Sequence, residues 1–149
     1  MTVKLTLYKG KGTFVNAFIR WWAGSIYSHC ELVVNGMCYS SSGMDKGVRR
    51  KIINLDDGKW DVIELPWADA ESVVRYFAET DHHRYGYFGL ITSQLFNRGI
   101  AQDRAQFCSE WCARAVGLPN ASSYSPASLG RLCEHINELT AKAQAWQMK

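Results

Sequence analysis

The dipeptide Asn35-Gly36 constrains this chain most. A type I′ two-residue hairpin turn needs positive φ at both central positions, and both residue types tolerate it. Short runs suited to strands lie on either side, His29 to Val34 and Met37 to Ser42. The turn therefore predicts two antiparallel neighbours. More strand signals surround them. Thr2 to Tyr8 alternates, with Val3, Leu5 and Leu7 on one face and Lys4 and Thr6 on the other. After a Gly43 to Gly47 loop, Val48 to Ile53 reads as a strand. Asp56-Asp57-Gly58 makes another turn, and Trp60 to Leu65 is a strand stopped by Pro66. The middle of the chain is an antiparallel meander.

Helical patterns occupy the rest. Thr13 caps a helix to about Trp22, with Phe14, Phe18 and Trp22 on one face, and Gly24 ends the segment. Asp69 to about Thr80 carries apolar Val73, Val74, Phe77 and Ala78. Tyr87 to Phe96 reads as a short helix. Phe107 to Val116 is a helix stopped by Gly117, and Ser125-Pro126 opens a last helix to about Lys142. The order predicts an α+β class with helices packed on one face of an antiparallel sheet. At 149 residues the whole chain, 1–149, reads as a single domain.

Composition excludes several function classes. A 47% apolar and 21% charged chain is not mostly disordered. A net charge of +3 is too small to imply nucleic-acid binding. Arg49, Arg50 and Lys51, with Lys46 nearby, read as a solvated strand end. No apolar run approaches the length of a transmembrane helix, and Met1 to Lys11 lacks an apolar signal core. Five cysteines without a secretion signal predict reduced thiols in a cytoplasmic protein.

Two residues carry reactive chemistry. Cys108, read in the first turn of its helix, would sit near the positive end of the helix dipole and unbonded N–H groups. Both favour the thiolate and an oxyanion formed at it. His29 opens a strand in Tyr27-Ser28-His29-Cys30-Glu31 and can act as base to a thiol. A third group should orient the imidazole. Glu31 shares its strand face at i+2, while Ser40 or Ser41 lies across the hairpin and Asp45 in the following loop. Cys112 reads as core. Cys108 and Cys112 at i, i+4 and the adjacent His82-His83 lack structural-zinc spacing, so no metal and no cofactor is expected.

In the order Gly24, Tyr27-Ser28-His29, Asn35-Gly36, Phe107-Cys108-Ser109-Glu110 and Ser125-Pro126 with Leu129, the chain resembles the circularly permuted NlpC/P60 (YiiX/YebB-like) cysteine hydrolases of the papain-like superfamily. The resemblance spans about residues 10–132. Relatives are common in bacteria and tailed phages, which suggests a phage member acting in the host cytoplasm. It implies a permuted papain-like fold with His29 as general base and Cys108 as nucleophile. The family's third residue, a polar group on or just after the strand following the His, has no His or Glu counterpart in Met37 to Ser42. Ser41, Asp45 or Glu31 would substitute, with Glu31 favoured. Tyr27 would line the cleft and Ser109 adjoin the substrate.

The expected activity is hydrolysis of an amide or (thio)ester bond of a peptide, amide or lipid-like substrate. It runs through an acyl-enzyme, with the Cys108 N–H and a neighbouring donor holding the oxyanion and the sulfur in a groove open to solvent. Two rivals stand beside it. A lipid or protein acyltransferase would use the same pair, with Phe18, Trp21 and Trp22 as its apolar surface. A non-catalytic binding module, such as a phage protein occupying a host protein, would need no reactive thiol.

Overall fold

The computed structural model describes residues 1–11, 24–42, 47–81 and 100–148, with the backbone alone for 100–107. The protein is α+β. Among the described residues five strands, β1 (Val3–Tyr8), β2 (His29–Val34), β3 (Met37–Ser42), β4 (Gly47–Lys51) and β5 (Trp60–Leu65), form one antiparallel sheet in the order β4-β3-β2-β1-β5. Among the described residues three helices follow, α1 (Ala70–Asp81), α2 (Ile100–Ala115) and α3 (Pro126–Gln147), with a 3-10 turn at Ala121–Ser123.

The hairpin forms as its turn chemistry demands. Asn35 has φ 50° and Gly36 φ 76°, and Val34 pairs with Met37 across the turn. That register, carried through Leu32↔Tyr39, Leu5↔Leu32 and Leu5↔Ile63, decides which side chains share a face. Val3, Leu5, Leu7, Cys30, Leu32, Val34, Tyr39, Val48 and Leu65 form one buried face. The helices cover it in turn. Phe77 of α1 meets the Tyr39 ring at 5.1 Å, Cys112 of α2 meets Cys30 at 3.9 Å, and Gly130 of α3 lies against Leu7 and Ile63. A Cβ on Gly130 would come within 2.7 Å of Leu7, so the glycine permits the close approach of α3 to the sheet.

The helix ends have local causes. Asp69 caps α1, its carboxylate accepting from the N–H groups of Glu71 and Ser72. Gly117, at φ 75°, closes α2 while Leu118 N–H donates to the Ala113 carbonyl at 2.9 Å. Ser125 caps α3 in a capping box with Ser128, and Pro126 takes the first turn.

Three boundaries differ from expectation. β4 stops at Lys51 because its partner runs out: Lys51 pairs with Cys38, one residue from the hairpin, and Ile52 is exposed. α3 continues to Gln147 through the alanine-rich end of the chain, where propensity alone favours helix. α2 begins at Ile100 rather than near Phe107, so Cys108 lies inside the helix. The helices expected at 13–22 and 87–96, the pair His82-His83, the side chains Phe18, Trp21, Trp22 and Lys46, and the candidate Asp45 lie outside the described residues. Among the described residues no helix is long and apolar enough to cross a membrane.

Candidate active site

Strand alternation separates the first residues of β2. Cys30 faces the helices, whereas His29 and Glu31 share the other face with Thr6 and Tyr8, their partners on β1. His29 is the strand's first residue, and its imidazole reaches two groups. Its Nε2 lies 3.1 Å from Oε1 of Glu31. It is also hydrogen-bonded to the thiol of Cys108 on α2. Three residues from two elements thus form a continuous chain from sulfur to imidazole to carboxylate.

Glu31 is almost fully buried, at 1% exposure, which would be costly for a lone carboxylate. Arg49 offsets that cost. Its two terminal nitrogens donate to the two Glu31 oxygens at 2.8 and 2.6 Å, a bidentate fork reaching from β4 past β3. Arg49 is therefore no solvated strand-end residue, contrary to its expected place in the basic cluster. Its neighbour Arg50 is exposed and lies 5.7 Å above the Phe77 ring. Arg49 was missed because its role depends on the β3–β4 register, which no local pattern reveals.

The electrostatics follow from these contacts. Burial works against charge on His29, but the Cys108 thiolate and then Glu31 outweigh it and raise its pKa to about 10. Burial alone would push the Cys108 thiol up. The hydrogen bond from Cys30, the positive His29 and the Cys30 backbone N–H hold it well below the ordinary value instead. Burial likewise opposes charge on Glu31, and hydrogen bonds from Arg49 and His29 bring its pKa down. Both shifts favour a thiolate on Cys108 beside an imidazolium on His29.

Two parts of the expected site differ. Cys108 is the ninth residue of α2, so the first-turn dipole and open N–H groups do not act on it. In a helix interior its own N–H is directed at the carbonyl four residues back, and it cannot serve as the expected oxyanion donor. What favours the thiolate is the Cys30 side chain, His29 and the backbone of β2. Cys108 is also fully buried, at 0% exposure, rather than open to a groove; His29, with 22% of its side chain exposed, carries the pair toward solvent.

The other candidates fall elsewhere. Ser41 is buried opposite Val48, on the face of Tyr39 and the helices, and among the described residues no hydrogen bond joins its side chain to His29. Ser40 donates to the Cys30 carbonyl at 2.8 Å. Tyr27 donates to Asp61 at 2.6 Å, and Lys9 binds the other Asp61 oxygen at 2.6 Å. That carboxylate, followed by burial, raises the Tyr27 pKa to about 12. Ser109 is buried and its hydroxyl donates to the Tyr124 carbonyl. All five cysteines are reduced and buried. Among the described residues no cluster of three or more potential ligands suits a metal ion.

No family model, curated protein or solved structure matches the chain.

Proposed function

We propose that the protein is a cysteine hydrolase acting on an amide or (thio)ester bond. The observation that carries this reading is the sequence of contacts from Cys108 to His29 to Glu31, with Arg49 fixing the carboxylate. A thiolate beside an imidazolium is the activated nucleophile of acyl transfer. Cys108 attacks the carbonyl carbon, and the imidazolium of His29 protonates the leaving group. The neutral imidazole then takes a proton from water, whose oxygen attacks the thioester and releases the acid. Glu31 keeps the ring oriented and favours its charged form. With Nε2 held by Glu31, Nδ1 is the ring nitrogen left for the sulfur. The histidine preceding the cysteine, an antiparallel sheet and a cysteine-bearing helix are features that support a permuted papain-like fold. Five reduced, buried thiols suit a reducing cytoplasm.

One observation favours a second reading. The complete burial of Cys108 fits a non-catalytic binding module whose Cys–His–Glu contacts only stabilise the fold. The residues that would mark a lipid-directed acyltransferase, Phe18, Trp21 and Trp22, are outside the described residues and lend that rival no support.

An activated ester separates the two. With p-nitrophenyl acetate, the hydrolase releases p-nitrophenolate and carries a transient acetyl group on Cys108, found by peptide mapping and slowed in His29→Ala. Acetylation confined to lysines, with Cys108 untouched, would leave only the binding module.

A further inference from the structure

Attack of a thiolate on a carbonyl turns the carbonyl oxygen into an oxyanion, which needs hydrogen-bond donors aimed at it. The interior of α2 has none to offer at Cys108. The start of β2 does. The backbone N–H of Cys30 already reaches the Cys108 sulfur. Ser28 adjoins His29, and its own N–H donates to the Tyr8 carbonyl at 3.0 Å, so it is held beside the strand partner of His29. The residue is 5% exposed, and among the described residues its Oγ is a buried side-chain oxygen with no hydrogen-bond partner. A hydroxyl left so costs stability, and its persistence calls for a cause.

We infer that the Ser28 hydroxyl and the Cys30 backbone N–H are the oxyanion donors of this site. The inference rests on the hydrolase reading above. Two residues of strand separate the Cα atoms of Ser28 and Cys30 by about 7 Å at most, so a hydroxyl at 28 and an amide at 30 can bracket one oxygen near the sulfur. In the step, a lone pair of the Cys108 thiolate forms the S–C bond while the C=O π pair moves to oxygen. Ser28 O–H and Cys30 N–H donate to that oxygen. Its electrons then re-form C=O as the leaving group departs with its bonding pair. Ser28 is a catalytic residue in this scheme, because its hydroxyl touches the reacting oxygen.

Two probes of one sulfur test the idea. Iodoacetamide alkylates a thiolate by displacing iodide and forms no oxyanion. Acetylation by p-nitrophenyl acetate passes through one. In Ser28→Ala, acetylation of Cys108 should slow by about tenfold to a hundredfold or more, as for loss of one oxyanion donor, while its alkylation rate stays within about twofold. The melting temperature should hold or rise, since the variant removes an unsatisfied buried hydroxyl. Equal effects on both rates, or on neither, would overturn the assignment. So would a lower melting temperature with acetylation unchanged, the mark of a hydroxyl satisfied within the fold. Absence of Cys108 acetylation in the unaltered protein would instead defeat the hydrolase reading itself, which keeps the two failures distinct.

Discussion

His29 Nε2 and Glu31 Oε1 are 3.1 Å apart on one face of β2, and that carboxylate is also gripped by Arg49. The imidazole is thereby tied to a buried charge that has its own counter-ion. Orientation of the base therefore depends on a residue of β4, acting through the carboxylate between them.

Removing Glu31 should therefore have two separable consequences. Glu31→Leu leaves Arg49 buried without this carboxylate, and breaking such a pair costs about 3–5 kcal/mol. A urea titration should show that loss. The double variant Glu31→Leu/Arg49→Met takes away both charges and should recover much of the stability. Alkylation of Cys108 should be slower than in the unaltered protein in both, because neither variant holds the imidazole. A single variant as stable as the unaltered protein would show that the pair does not support the fold.

The pH dependence has a definite sign. The His29 pKa is raised, so its charge stabilises the fold fully below about 6.5, the unfolded value, and this is lost as pH rises through about 10. The Cys108 pKa is lowered, so its thiolate contributes above the ordinary thiol value and the contribution is lost as pH falls through its depressed one. Cys108 alkylation should consequently be nearly level from about pH 6 to 8, whereas an ordinary thiol gains reactivity toward about 8.5. Rates measured across that range decide it, and a tenfold rise per pH unit would contradict the ion pair.

All five strands and the hairpin register were legible because alternation and turn chemistry are local. Asn35-Gly36 marks the pairing of β2 with β3, and the i, i+2 rule places Glu31 among the candidates to hold His29, beside Ser40, Ser41 and Asp45. The start of α2 was not legible. Ile100 to Gln106 mixes apolar, charged and amide residues, and the expected start near Phe107 rested on the apolar run beyond it. That one boundary moved Cys108 from a helix end to a helix interior and changed what stabilises its charge. Arg49 and Ser28 were hidden for another reason, since a buried fork and an unsatisfied hydroxyl exist only once strands from distant parts of the chain meet.

The turn makes its own prediction. Gly36 sits at φ 76°, where a Cβ costs about 1–2 kcal/mol, so Gly36→Ala should destabilise by that amount in urea while Asn35→Gly changes little. An unaltered midpoint for Gly36→Ala would mean that the hairpin can adopt another turn.

The most direct measurement is competitive iodoacetamide labelling of the native protein at neutral pH, with all five cysteines resolved by peptide mapping. Cys108 should react first, about tenfold or more ahead of the others, because an ordinary thiol is only a few per cent ionised there. In His29→Ala it should fall to their pace. A Cys108 that stays unlabelled in the native protein, or reacts equally well without His29, would contradict the account.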